Sequence, residues 1–208
     1  MFTDRAQAGR ELARALARRP WDNPLVLALP RGGVPIGRAV ADALGAELDV
    51  LIVRKLGVPT NPEFAFGAIG EGGIVVIDQP VVAEFGLDRR DVEAVSQAES
   101  REINRRIQAY RAGQPLKSVT GRTAIVVDDG LATGATAEAA VSVLRQLGAK
   151  AIIVAVPTGS QQAVRRLESL CDGVVCLEVP TYFGSVGAQY EVFAQVSDGE
   201  VLQFLEVI

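Results

Sequence analysis

Two adjacent carboxylates, Asp128 and Asp129, stand directly before Gly130-Leu131-Ala132-Thr133-Gly134-Ala135-Thr136, a run of small residues and hydroxyls. Two carboxylates about 5 Å apart at a protein edge repel by roughly 3 kcal/mol at an effective dielectric near 20. Full solvation of the strand end brings that below about 1 kcal/mol; otherwise the pair calls for sugar hydroxyls or a divalent cation beside it. The loop that follows has the opposite preference. Unpartnered amide N–H groups at a helix start, together with the helix dipole, attract anions. Small side chains let a phosphate reach the backbone, and Thr133 and Thr136 add hydroxyl donors. Side by side, acids and anion loop suit a ligand that carries both a diol and a phosphate, such as a ribose 5-phosphate group.

These residues need a scaffold that delivers them together. Thr123 to Val127 is a short β-branched apolar run and reads as a buried parallel strand, with a helix over 137–147 after the loop. Leu25 to Leu29 is a first buried strand that runs into Pro30-Arg31-Gly32-Gly33, whose glycines allow close backbone approach before a helix over 34–44. Read blandly, that turn is an ordinary strand–helix junction with one exposed arginine. A second strand over 47–53 ends at Arg54-Lys55, two cations that also suit solvent-facing punctuation. Strand 151–156, helix 160–170 and strand 174–178 complete the pattern. The turns after strands 25–29, 47–53, 123–127 and 151–156 then share the carboxyl edge of one parallel sheet, where doubly wound sheets bind ligands.

The remaining segments are less committed. Residues 3–19 read as a helix capped by Thr3 or Asp4, with Leu12 and Leu16 facing inward and its arginines on a solvated face. Residues 56–77 read as a mobile excursion, broken by Pro59, Asn61 and Pro62, with a hairpin from 65–69 and 74–77. Asp88 caps a long polar helix to about Arg111, which packs either on a second subunit or on its own domain. Residues 113–121 form a linker. The stretch 180–196 concentrates the late aromatics Tyr182, Phe183, Tyr190 and Phe193, and Ser197 caps a short terminal helix.

Composition removes several function classes. The 208 residues suit one α/β domain with a modest appendage, and 49 % hydrophobic with 22 % charged residues describes a soluble globular chain. A net charge of −4 offers no general attraction to nucleic acid. The chain has no histidine, which excludes a Ser-His-Asp triad, a Cys-His pair and His-liganded zinc within it. Cys171 and Cys176 flank a strand and read as core or near-core thiols in a reducing cytoplasm. No apolar run reaches spanning length, so no membrane insertion is expected.

The stretch from Ala124 to Thr136 resembles the signature of type I phosphoribosyltransferases: four apolar residues, two acids, two variable residues, then a small residue and Thr-Gly-x-Thr. Its Asp-Asp-x-Leu-Ala-Thr-Gly-x-Thr form is most similar to adenine phosphoribosyltransferases. A Walker loop is excluded by the missing Gly-Lys-Ser/Thr, and Gly70-Glu71-Gly72 fails as a dinucleotide fingerprint because Val75 holds the third glycine's place. The resemblance implies a mostly parallel sheet flanked by helices, with a flexible hairpin loop and a small C-terminal hood over 180–208, all one domain over 1–208.

It also implies transfer of the ribose 5-phosphate of phosphoribosyl pyrophosphate (PRPP) to a nitrogen acceptor, with release of pyrophosphate. Asp128 and Asp129 would hold the 2- and 3-hydroxyls, directly or through magnesium-bound water, and Leu131 to Thr136 would hold the 5-phosphate. Arg31-Gly32-Gly33, with a cis peptide expected at Pro30–Arg31, and the basic pair Arg54-Lys55 would bind pyrophosphate. Mg2+ would arrive largely with the substrate. Where 6-oxopurine enzymes carry an aspartate base, this chain has Ala132, so either the acceptor ionises by itself or Glu63 from the loop serves as base. The cysteine usage points to a cytoplasmic protein, and the long helix 88–111 offers a surface for a homodimer. The alternative is a non-catalytic PRPP or nucleotide sensor of the same fold.

Overall fold

The computed structural model describes residues 1–205, the side chain of Glu63 excepted. Its centre is a five-stranded parallel sheet in the order β2-β1-β6-β7-β8, built from β1 (Pro24–Ala28), β2 (Glu47–Val50), β6 (Thr123–Val127), β7 (Ala151–Thr158) and β8 (Gly173–Glu178). A parallel strand covered on both faces must be apolar at every position, not at alternate ones. That is why 24–28 and 123–127 read as continuous apolar runs. Leu25, Leu27, Ala124 and Val126 face α5 (Ala135–Gln146) and α6 (Gln161–Glu168). Val26, Ile125 and Val127 face α1 (Arg5–Leu16) and α2 (Gly33–Leu44). The α/β expectation is met, and the turns after β1 and β6 share the sheet's carboxyl edge.

The run 47–53 does not form one strand. Parallel pairing with β1 runs from Glu47 to Val50, and β3 (Val53–Val58) then opens a second, antiparallel sheet with β4 (Asn61–Gly70) and β5 (Val75–Ile77). Arg54 and Lys55 therefore lie inside β3, one sheet beyond the strand end where the run would leave them. The excursion expected over 56–77 starts at Val53 and is a packed three-stranded sheet, not a lone hairpin. Its apolar side chains explain the difference: Leu56, Val58, Phe66 and Ile69 are buried with Ile103 and Tyr110 of α4 (Arg89–Arg111) and Val201 of α7 (Asp198–Phe204).

A short helix not legible in the sequence, α3 (Gln79–Glu84), follows β5 with Asp78 as its cap. Asp88 caps α4 in a reciprocal box with Asp91, and Ser197 caps α7 in another with Glu200. Helix α4 leans on β3, β4 and α7 of its own chain. Cys171 and Cys176 are half-buried free thiols, and burial pushes Cys176 up to about 12. Among the described residues, no helix is long and apolar enough to cross a membrane.

Candidate active site

The turn after β1 and the turn after β6 are pressed together. A Cβ on Gly32 would collide with the Asp129 carboxylate, and one on Gly33 would stand 2.5 Å from the Val127 carbonyl oxygen and 2.9 Å from Asp128 Cα. Only glycine lets the two turns approach this closely. Between them the Pro30–Arg31 peptide is cis, at the position expected.

Loop 130–134 is fastened to the next crossover. The Leu131 N–H donates to the Thr158 carbonyl at 3.0 Å, Ser160 N–H to the Leu131 carbonyl at 2.8 Å, and Ser160 Oγ to the Ala132 carbonyl at 2.7 Å. Gly134 caps α5 in the left-handed region, with φ +80°. Ala135 and Thr136 belong to the first turn of α5. Leu131 and Gly134 are buried, whereas Ala132, Thr133 and Thr136 are exposed at the helix start. Thr133 Oγ1 accepts from the Ala135 N–H at 3.3 Å.

The acids are half-buried rather than solvated. Asp128 Oδ1 accepts from the Asp129 N–H at 2.8 Å. Asp129 Oδ2 accepts from both Nε and Nη2 of Arg5, at 2.9 and 2.8 Å. The helix pattern puts Arg5 on a solvated face; its side chain is instead 12 % exposed. Phe2 N–H donates to the Gln189 carbonyl, while the N–H groups of Glu191 and Val192 donate to the Phe2 and Thr3 carbonyls. That zipper, with Asp4 as cap, starts α1 beside the acids. Tyr190 donates its hydroxyl to the Asp129 carbonyl oxygen at 2.6 Å. Burial and the neighbouring Asp129 charge push Asp128 well above the ordinary carboxylate value. Burial also raises Asp129, and the Arg5 hydrogen bonds oppose it.

Among the described residues, Asp128 Oδ2 and Asp129 Oδ1 accept no hydrogen bond from another residue. They are the open acceptors of the edge. No group of three or more His, Cys, Asp or Glu among the described residues is placed to hold a metal. With one Asp129 oxygen already on a guanidinium, the donor set fits a resident divalent cation poorly.

A cleft of about 480 Å³ runs from Leu29 and Pro30 past Arg54 and Lys55 to Thr136, with Glu99 and Arg106 of α4 on its far side. Arg54 is paired with Glu99 at 2.6 Å. Arg31 stands at the turn, its Nη1 3.5 Å from Asp198 Oδ1, which also accepts from the Tyr110 hydroxyl at 2.7 Å. The Tyr110 hydrogen bond and the Arg31 charge hold Asp198 below its ordinary value, and burial with Asp198 pushes Tyr110 up to about 12. The structure therefore brings Asp128, Asp129, Gly32, Gly33 and the 131–136 loop to one edge, with Arg54, Lys55 and Thr136 around the cleft. The side chain of Glu63 lies outside the described residues; its backbone is in β4. A hollow of about 500 Å³ opens at the amino edge of the sheet, but its Arg122 is engaged by Glu47 and the Pro24 carbonyl, a structural arrangement.

Sequence reasoning missed Arg5, Tyr190 and Asp198. Arg5 and Tyr190 lie far along the chain from Asp129, and Asp198 far from Arg31, so no local spacing announces them.

Residues 2–191 match the model of a phosphoribosyl transferase domain. The chain is 48 % identical over 206 residues to the "Putative phosphoribosyl transferase Rv0571c" of Mycobacterium tuberculosis strain H37Rv, covering 99 % of this chain and 46 % of that protein. It thus spans about half the length of the curated relatives it matches. The crystal structure of TT1426 from Thermus thermophilus superposes with a TM-score of 0.91 at 45 % identity, over 98 % of this chain and 97 % of that one. AQ2163 of Aquifex aeolicus, at 11 % identity and TM-score 0.51 over 84 % of this chain and 74 % of that one, shares the fold alone. An acid pair, a glycine-capped anion loop and a matching domain model over most of its length lead to one statement: the chain belongs to the phosphoribosyl transferase domain family.

Proposed function

We propose that this protein transfers the 5-phosphoribosyl group of PRPP to a nitrogen acceptor and releases pyrophosphate. The observation that carries the reading is the open pair of carboxylate oxygens beside a glycine-capped helix start on one sheet edge. Asp128 Oδ2 and Asp129 Oδ1 accept hydrogen bonds from the ribose hydroxyls. The amides at the start of α5, with Thr133 and Thr136, hold the 5-phosphate. Arg31, Arg54 and Lys55 stabilise the charge that grows on the leaving pyrophosphate.

The bond from the anomeric carbon to pyrophosphate oxygen breaks, and a bond to the acceptor nitrogen forms. Magnesium carried with the substrate would supply charge neutralisation at the leaving pyrophosphate, beside Arg31, Arg54 and Lys55. The acceptor's proton goes to solvent or to a carboxylate. Glu63 is the candidate, since Ala132 cannot take a proton and the chain has no histidine. The C-terminal segment 180–208 acts as a hood over the acceptor, within one domain.

The test is a panel of nitrogen acceptors with Mg·PRPP, read by pyrophosphate release, beside PRPP titration by calorimetry. Turnover with at least one acceptor is expected, and PRPP affinity should collapse in a folded Asp128→Asn/Asp129→Asn variant. Unchanged affinity in that variant would remove the ribose assignment. PRPP binding without turnover on any acceptor would instead describe a sensor. Glu63→Gln should lower kcat and remove the acidic limb of the pH profile with PRPP affinity kept; an unaltered profile returns the proton to solvent.

A further inference from the structure

The acid pair does not face its mutual repulsion alone, and the group that relieves it comes from the other end of the chain. Arg5 is held by everything around it. Two of its nitrogens bond Asp129 Oδ2, and Nη1 donates to the Ala194 carbonyl at 2.6 Å. The guanidinium carbon lies 3.9 Å from the centroid of the Phe193 ring, which itself stacks with Tyr190 at 5.1 Å. A planar cation bonded through all three nitrogens and covered by an aromatic face is preorganised. Moving it aside would break the carboxylate pair, the carbonyl bond and the stacking together.

We propose that Arg5 is the permanent counter-ion of Asp128 and Asp129, standing where a divalent cation would otherwise bind the pair and leaving Asp129 Oδ1 and Asp128 Oδ2 turned to the ligand. Two carboxylates and one guanidinium carry a single net negative charge, enough to accept hydrogen bonds from a diol and too little to hold a divalent ion. A metal entering there would also meet the guanidinium as a like charge. The ligand part of this inference rests on the ribose reading above; the ion part does not.

The experiment measures Mn2+ alone binding to wild-type protein, Arg5→Ala and Arg5→Gln, by electron paramagnetic resonance, with folding checked by near-ultraviolet circular dichroism. Arg5→Gln keeps reach and a hydrogen-bond donor, so the comparison survives if the alanine variant fails to fold. Wild type should bind Mn2+ at least tenfold more weakly than either folded variant, and adding Asp129→Asn to Arg5→Gln should abolish the gain. Equal Mn2+ affinity with and without Arg5, whether tight or absent, overturns the proposal. In a second arm, PRPP affinity of wild type should saturate at one Mg2+ per PRPP, while Arg5→Gln should need further Mg2+. The same Mg2+ dependence in both proteins counts against the counter-ion. A wild type that binds no PRPP at all sinks the ribose reading, and the Mn2+ arm still decides Arg5.

Discussion

Among the described residues, two clusters join one arginine to two carboxylates, and they are built to opposite ends. Beneath the junction of its two sheets, Arg111 ends α4 against Glu71, with Asp49 of β2 3.6 Å away. Here all four carboxylate oxygens are occupied. Glu71 accepts from Arg111 and from the Ile52 N–H at 3.0 Å, and Asp49 accepts from the N–H groups of Val50 at 2.8 Å and Lys117 at 2.9 Å. At the sheet's carboxyl edge, Arg5 with Asp128 and Asp129 leaves two oxygens open. Equal composition, then, does not separate a closed ion cluster from an open one. What separates them is whether every acceptor is already taken, as it is in the Arg111 cluster by three backbone N–H groups and the guanidinium itself.

The sharpest way to break that comparison is to remove Arg111. Arg111→Met leaves Glu71 and Asp49 buried without their cation, which should cost about 3–5 kcal/mol of stability and lower the melting temperature by roughly 10 °C. Ribose 5-phosphate affinity should hold wherever the variant is folded. A melting curve like the wild type's would mean the buried cluster is not structural.

Next in size is the anion loop. Gly134→Val forces a branched residue to φ +80° beside Ala163, and it should weaken ribose 5-phosphate more than Thr136→Ala, which loses one hydroxyl worth about 1–2 kcal/mol. Calorimetry giving the reverse order would argue against a backbone cradle.

The smallest effect is a gain. Because burial raises the Asp128 pKa, the native state holds more protons than the unfolded chain between the ordinary value of 3.8 and the raised one. Stability therefore falls as pH climbs through that window. Asp128→Asn should melt higher than wild type at pH 7, with the gap closing as pH drops toward 3.8. No gap at pH 7 would place the Asp128 carboxylate in water.

These two clusters also mark how far the sequence could be read. The 123–136 stretch is local: an apolar strand, two acids and a glycine at the αL cap lie within fourteen successive positions, and their order alone predicts the edge. The Arg31-Gly32-Gly33 turn is local too. Arg5 pairs across 124 positions and Arg111 reaches Glu71 across 40, so each looked like one more arginine on a polar helix face. The strand break after Val50 was equally hidden. Val53 continues an apolar run, and only the pairing of β3 with β4 shows that the chain has changed sheets.

The stitching of Leu131 to Thr158 and Ser160 has a consequence in time. A glycine-rich loop left to itself samples many shapes, and a ligand that orders it loses affinity to entropy. This one is an extra rung of the parallel sheet, a bridge between Leu131 and Gly159 beyond the ends of their strands. An anion reaching the start of α5 meets a surface already set. If the proposed phosphate site is right, association there would be governed by diffusion and orientation, not by waiting for a loop to fold, and selectivity among ligands would lie in how quickly they leave.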